Sequence, residues 1–422
     1  MKILYLPAYF SPEKVASAYL SDNRNQAFAN AGFEMLAYTP LPTRGIDENT
    51  RNEYKSHKRT ELMYDGKMCV RRFPLMAEGR NPLMRAFRYT LQCIKQFMWA
   101  VFSKEARSCD IMFISSTPPI QGAMAALVKK FTKKPMVYNL QDIFPDSLVG
   151  TGFAKKDGLL WKIGRVIENF TYRNSDKIIV ISEDFKRNIM AKGVPEEKIE
   201  IIYNWVDEQA VVPIFKADNP LYDEFGINRS KFTIIYAGNL GNAQNIDIIM
   251  DAAAEMQAKP DVQFIIFGSG GLESKIKDRI KRDNLHNLKI FPIQPYERVS
   301  YVYGLGDACI VSCKAGLGGS AMPSKTWSIM SSGRAVLANF DEGDLKNIIE
   351  KNNCGIFTHA GDLKEFVTAI EELRNAPEKC KEMGKASRQF ILNNLTQNIG
   401  TKKCVDVVYN CLLYTSPSPR DS

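Results

Sequence analysis

The chain has 422 residues, 45% of them hydrophobic, and a formal net charge of +9. That length predicts two domains rather than one core, and no apolar run approaches the roughly 18 residues that span a bilayer. The nine cysteines are scattered with no Cys-x-x-Cys pair, so the sequence suggests neither a zinc site nor a disulfide framework and fits a reducing cytoplasm.

The first residues, Met1-Lys2-Ile3-Leu4-Tyr5-Leu6, turn polar too soon for a signal peptide and read as a first strand. A helix over 18–31 and a strand over 34–39 follow. Beyond a polar loop, the segment 81–107 interleaves Arg85, Arg88, Lys95, Lys104 and Arg107 with Phe87, Tyr89, Phe97, Trp99 and Phe102. Such a helix suits an anionic membrane surface, with aromatics inserted and cations near headgroups. It equally suits a core-packed helix with a solvated basic face. No RNA- or DNA-binding motif accompanies the charge, so nucleic acid is not expected as a partner. Strands are predicted over 110–114, 135–139 and 177–181. Ser182 has the type and place of an N-cap, with Glu183 and Asp184 in the turn after it. A short strand over 199–203 ends a first domain, 1–204. The stretch 205–230, with two prolines and mixed charge, reads as a linker.

Strand–helix alternation resumes in a second domain, 231–397. The apolar run 234–237 passes directly into Gly238-Asn239-Leu240-Gly241. Ile246, Ile249, Met250 and Ala253 then recur at i, i+3, i+4 and i+7, as on one face of a helix. The run 262–267 enters Gly268-Ser269-Gly270-Gly271, and 307–312 leads to the glycines at 316–319. Strands of a parallel sheet that end in glycine let backbone approach a phosphate at the carboxyl end of the sheet. Met322-Pro323-Ser324-Lys325 then opens a helix of about two turns that stops at Gly333-Arg334 before another apolar run. A helix start gathers unsatisfied N–H groups and the positive dipole end. Ser324 and Lys325 would add a hydroxyl and an ammonium, as a diphosphate requires. The plainer alternative is an ordinary helix between two strands. A last helix is predicted over 398–410, returning to the first domain. The segment 411–422, ending Ser416-Pro417-Ser418-Pro419-Arg420-Asp421-Ser422, looks like a translated sequencing adapter and is expected to be non-native.

Taken together these motifs resemble a known family. Two α/β halves, the glycine-rich loop at 238–241, and Pro323-Ser324-Lys325 ahead of Gly333-Arg334 look like a GT-B glycosyltransferase of family 4. The nearest resemblance is to the L-fucosamine-transferase-like subgroup that builds bacterial O-antigen, capsule and exopolysaccharide repeat units on undecaprenyl diphosphate. Further matching segments are Pro7-Ala8-Tyr9-Phe10-Ser11-Pro12-Glu13, Gln141-Asp142-Ile143-Phe144-Pro145-Asp146-Ser147, Val180-Ile181-Ser182 and Ile202-Tyr203-Asn204-Trp205-Val206-Asp207. The resemblance implies a doubly wound α/β fold, two Rossmann-like domains facing across a cleft. It implies transfer of a sugar from a UDP-sugar to a lipid-linked saccharide, retaining, with no metal and no cofactor, at the inner face of the cytoplasmic membrane.

The residues carried over are Lys325 and Asp142 as catalytic. Gly238, Asn239, Gly241, Gln244, Gly268, Pro323, Ser324, Lys325 and Glu342 are expected around the donor, with Asp344 a further acid near it. Tyr9, Phe10 and Glu13 are expected on the acceptor side. Departures are specific. Ser320 and Ser328 stand where many relatives carry glutamates eight residues apart. Asn239 and Gln244 replace the usual Arg and Lys, and Gln141 replaces a histidine. Phosphate neutralisation therefore falls on Lys325, with Lys314 and Arg334 as helpers. His57, His286 and His359 lie in no motif, which argues against a histidine base. Two other readings stay open: a UDP-sugar 2-epimerase of the same architecture, and a non-catalytic glycosyltransferase-like subunit.

Overall fold

Strands covered by helices on both faces are apolar throughout rather than alternating. Ile111–Ser115, Met136–Leu140, Val262–Ser269 and Ala335–Phe340 all follow that rule, with nearly every residue buried. The computed structural model describes residues 1–13, 18–56, 59–79, 81–150, 155–320 and 322–415, and these form two compact α/β units.

The first unit comprises Met1–Tyr203 and the chain from Gly400 onward. Its strands are β1 (Lys2–Tyr5), β2 (Glu34–Pro40), β3 (Thr60–Met63), β4 (Met68–Phe73), β5 (Ile111–Ser115), β6 (Met136–Leu140), β7 (Lys177–Val180) and β8 (Ile199–Ile201). They form one sheet in the order β3-β4-β2-β1-β5-β6-β7-β8. Every pairing is parallel except β3 with β4. The polar loop expected after residue 39 instead holds a helix, Glu48–Ser56, and the β3–β4 hairpin. Tyr64 and Asp65 take positive φ there, followed by Gly66; Asp65-Gly66 is the turn signal that marks such a hairpin. Ser182 caps its helix as expected, accepting a hydrogen bond from the Phe185 N–H at 3.1 Å.

The second unit, Asn204–Ile399, contains β9 (Phe232–Asn239), β10 (Val262–Ser269), β11 (Leu288–Phe291), β12 (Ala308–Ser312), β13 (Ala335–Phe340) and β14 (Gly355–His359). All pairings are parallel, in the order β11-β10-β9-β12-β13-β14. The stretch expected as a linker is part of this unit. Trp205, Val206, Val211, Leu221 and Tyr222 are buried. Its carbonyls are tied down by arginines: Arg388 reaches the Val211 and Glu208 oxygens, and Arg334 the Ile214 oxygen. Buried side chains at irregular spacing leave no periodic signal, which is why the segment reads as loose.

The last helix, Gln397–Thr415, outruns the expected end at 410, and Cys411 is buried. The supposed non-native tail is thus continuous with the fold for its first five residues, while 416–422 lies outside the described residues.

Candidate functional site

In the second unit the strand order reverses between β9 and β12. Open parallel sheets bind ligands beyond the carboxyl ends of the strands at such a switch point. β9 ends there in Gly238 and Asn239. Gly238 has φ +142°, and a Cβ added to it would lie 3.0 Å from the Lys325 Nζ. The loop is pinned from several sides. The Leu240 N–H donates to the Ser269 carbonyl at 2.8 Å, the Leu272 N–H to the Leu240 carbonyl at 3.0 Å, and the Ser312 hydroxyl to the Gln244 carbonyl at 2.6 Å. Asn239 Nδ2 meets Gln244 Oε1 at 3.4 Å across Gly241, where a side chain would collide with both. A Cβ on Gly268 would strike the Gly238 carbonyl at 2.7 Å. Close backbone approach therefore requires glycine at 268, and the positive φ requires it at 238.

Lys325 is the first residue of the helix Lys325–Ser331. Its Nζ is shielded from solvent, has no hydrogen-bond partner, and sits 3.9 Å from the centre of the Tyr236 ring. The Tyr236 hydroxyl is turned away to the Asn239 carbonyl at 2.7 Å. Burial pushes the Lys325 ammonium down from 10.5 to about 7, because the charged form loses water and gains no carboxylate. An anion beside it would supply what the site lacks.

The neighbours are placed less as expected. Ser324 is exposed and makes no capping bond, and the helix begins at Lys325, two residues after Pro323. Ser328 is partly buried on that helix. Arg334, expected as a phosphate helper, is bonded to backbone instead: its guanidinium donates to the Ile214 and Gly304 carbonyls, with Nη2 3.0 Å from the latter. Lys314 is exposed, with its backbone N–H bonded to the Ala243 carbonyl at 2.9 Å. Asp341, which sequence reasoning passed over, fastens the glycine loop by accepting from the Gly316 N–H at 3.0 Å and the Gly318 N–H at 2.7 Å.

Glu342 belongs to a surface cluster that no sequence pattern announced. It pairs with Lys346 at 2.7 Å and His359 at 3.1 Å, and His359 pairs with Glu365 at 2.8 Å. Lys346, then His359, holds the Glu342 carboxyl below its usual range, while Glu365 and then Glu342 raise the His359 imidazole. Asp344 is buried at the start of the next helix.

The first unit has its own switch point, between β1 and β5. A cavity of about 230 Å³ opens there, lined by Tyr5, Tyr9, Arg24, Arg44, Asn139 and Gln141 among others. Of the expected acceptor-side residues, Tyr9 lines it. The Tyr9 hydroxyl donates to Glu78 at 2.6 Å and lies 2.8 Å from the Tyr89 hydroxyl. Burial, reinforced by Glu78, raises its pKa well above 10. Phe10 is buried, edge-on to Tyr5. Glu13 is buried too, and its carboxylate accepts the N–H groups of Thr43 at 2.8 Å, Arg44 at 2.9 Å and Phe10 at 3.3 Å. It acts as a clamp on the backbone. Asp142 follows β6 and is open to solvent at its edge. The protein flanking it raises its carboxyl pKa, against hydrogen bonds from Ser147 and the Ile143 backbone. Among the described residues, no three His, Cys, Asp or Glu side chains gather as a metal site.

Comparison with known proteins agrees with this geometry. Residues 221–390 match the family "Glycosyl transferases group 1", and residues 25–210 match "Glycosyltransferase Family 4". The chain is a glycosyltransferase of the GT-B fold. It is 23% identical over 335 residues to a protein named as the glycosyltransferase WbjE of Pseudomonas aeruginosa, covering 78% of this chain and 82% of that one. It is 27% identical over 342 residues to one named as the colanic acid biosynthesis glycosyl transferase WcaI of Escherichia coli (strain K12), covering 79% and 82%. Among solved structures, Anabaena HepE in complex with UDP superimposes with a TM-score of 0.70 at 16% identity, over 97% of this chain and all of that one. Both family matches are to transferases, which disfavours the epimerase reading.

Proposed function

We propose that this glycosyltransferase moves a sugar from a UDP-sugar to an undecaprenyl diphosphate-linked saccharide during assembly of a bacterial surface polysaccharide, with retention at the anomeric carbon and no metal. The shielded, unpaired Lys325 ammonium at the β9/β12 switch point carries the reading. A departing nucleoside diphosphate develops negative charge, and a preorganised cation next to glycine backbone stabilises it without a divalent ion. UDP in HepE supports the donor class, and the colanic acid biosynthesis in the name of WcaI supports the pathway. The resemblance to L-fucosamine transferases places that sugar in the donor panel. Asp142, just beyond the carboxyl end of β6, serves at the reacting acceptor hydroxyl.

The acceptor is a membrane lipid, and the first unit offers a surface for it. The helices Pro82–Phe102, Gln121–Thr132 and Leu159–Asn174 lie side by side. They expose Leu83, Phe87, Phe102, Phe131, Leu159 and Val166. Exposed Lys130, Lys133 and Lys162 flank them, a composition suited to an anionic interface. The segment 81–107 divides as an amphipathic helix must. Tyr89 and Trp99 turn inward, the latter stacked 4.2 Å from Tyr38, and Arg88 is buried.

The test is UDP release by purified protein across a panel of UDP-sugars, with an undecaprenyl diphosphate-saccharide acceptor and EDTA present. Acceptor-dependent release that collapses in Lys325→Ala is expected. Release that needs Mg²⁺, or that persists undiminished in Lys325→Ala, refutes the mechanism. Tight UDP binding with no release from any donor would favour the non-catalytic reading.

A further inference from the structure

The cavity of the first unit holds two arginines and no carboxylate among its lining residues. Arg24 is 3% exposed. Its Nη2 donates to the Tyr5 hydroxyl at 3.1 Å, and its guanidinium carbon lies 4.5 Å from the centre of the Phe113 ring. The Nε is shielded and has no hydrogen-bond partner, and among the described residues Arg24 forms no ion pair. The nearest acid in sequence, Asp22, accepts from the Tyr64 hydroxyl at 3.4 Å, and burial raises its pKa. The Tyr64 hydroxyl and the Arg24 charge act against that rise, but Asp22 forms no direct ion pair with Arg24. On the other wall Arg44 is exposed, its guanidinium 5.4 Å from the Tyr9 ring centre. Glu78, the acid of that wall, pairs directly with Arg85 at 2.9 Å and accepts from the Tyr9 hydroxyl, with Arg44 acting on it only at longer range. Ser115, Thr117 and Gln141 bring further polar side chains to the same cavity.

A buried guanidinium with no carboxylate in direct contact costs the fold desolvation energy that the Tyr5 hydrogen bond and the two aromatic rings return only in part. Its planar fork of donors matches the oxygens of a phosphate or carboxylate. The site also sits where a parallel sheet presents ligands. We infer that this cavity, through Arg24 and Arg44, binds an oxyanion carried by the acceptor substrate: either its phosphate linkage or the carboxylate of an acidic sugar. This assignment rests on the acceptor reading given above, and makes the first unit select charged over neutral acceptors.

The experiment begins with binding. Inorganic diphosphate is titrated calorimetrically into the full chain with UDP already saturating the second unit. One diphosphate per chain is expected, weakened at least tenfold in Arg24→Gln and in Arg44→Gln and unchanged in Lys325→Met. Because Arg44 is exposed, its variant keeps the test valid if Arg24→Gln fails to fold. Kinetics then compare three acceptors on one scaffold: neutral, phosphate-bearing and uronate-bearing. The ratio of kcat/KM for the anionic acceptor over the neutral one should fall at least tenfold in both variants, and whichever anion shows the fall identifies the source. Diphosphate binding that survives in both arginine variants, or that is lost only in Lys325→Met, overturns the site. If binding depends on Arg24 and Arg44 while no acceptor turns over, the anion site stands and the acceptor reading falls.

Discussion

Lys325→Met removes a charge that the unliganded fold holds at a loss. The side chains have similar length and apolar stems, so packing against Tyr236 is largely kept. Lowering the ammonium from 10.5 to about 7 corresponds to roughly 4 kcal/mol of destabilisation near neutral pH, at about 1.36 kcal/mol per pH unit. The sign follows from proton counting. Between about 7 and 10.5 the unfolded chain carries the proton and the folded chain does not, so stability rises with pH across that window. Below about 7 both states are protonated and the deficit is constant. The variant should therefore be more stable than the parent at pH 7, by several kcal/mol at most. The advantage should shrink towards zero near pH 10.5. Urea denaturation of the second unit's transition, repeated at pH 6, 7, 8 and 9.5, reads both the gap and its slope.

Ligand binding should reverse the ranking. A diphosphate next to Nζ restores the ammonium, so UDP binding at pH 8 to 9 takes up close to one proton in the parent and none in Lys325→Met. Calorimetry in buffers of different ionisation enthalpy measures this directly. Loss of one preorganised cation at a developing negative charge should lower kcat/KM by about 10²–10³. A variant less stable than the parent at pH 8, or one that binds UDP with unchanged affinity and proton uptake, would refute the assignment of Lys325 to the diphosphate.

Other expectations are shorter to state. Gly270→Ala places a Cβ 2.6 Å from the Leu240 carbonyl oxygen at φ +153°; it should cost about 2 kcal/mol or more, lowering the second unit's melting transition in calorimetry. Glu13→Gln weakens the clamp on Thr43, Arg44 and Phe10; a loss of about 1–3 kcal/mol, read by thermal melting, should exceed any loss in kcat. Phe87→Asp with Val166→Asp should weaken co-sedimentation with anionic vesicles at least tenfold, leaving the melting temperature in place because both side chains are exposed. The His359 imidazole should titrate above 6.5 by NMR, its pairs with Glu365 and Glu342 being present below that pKa and lost as pH rises through it; Glu342→Gln should lower the midpoint.

The parallel sheets were readable because both faces of their strands are buried: runs such as 262–267 need no partner information to be recognised. The place of Lys325 at a helix start was readable for a related reason, since strand, glycine turn and helix start lie close in sequence and their geometry is local. Where the outcome depended on distant residues, the reading failed. Arg334 follows Gly333 directly, yet the Ile214 and Gly304 carbonyls 120 and 30 residues away claim it. Glu13 lies in the right loop but is spent on Thr43 and Arg44, 30 and 31 residues on. The β3–β4 hairpin was the exception, a local Asp65-Gly66 turn hidden between polar residues.

Arg24 is the most instructive of these cases. On the helix Ala18–Asn30 an arginine among Asn, Asp and Gln reads as a solvated side chain. Its burial is created only when β1 pairs with β5, setting Tyr5 opposite Phe113 so that the two rings receive the guanidinium. Both units thus place a cation at the reversal of the sheet, held against aromatic rings with no direct ion pair among the described residues. In the second unit the chain segment bearing the cation follows strand β12 directly, and sequence shows it. In the first unit the cation arrives from the side of a helix, and only the assembled sheet shows it. On the functions proposed above, a ligand anion completes the charge balance of each switch point: the donor's in one unit, the acceptor's in the other.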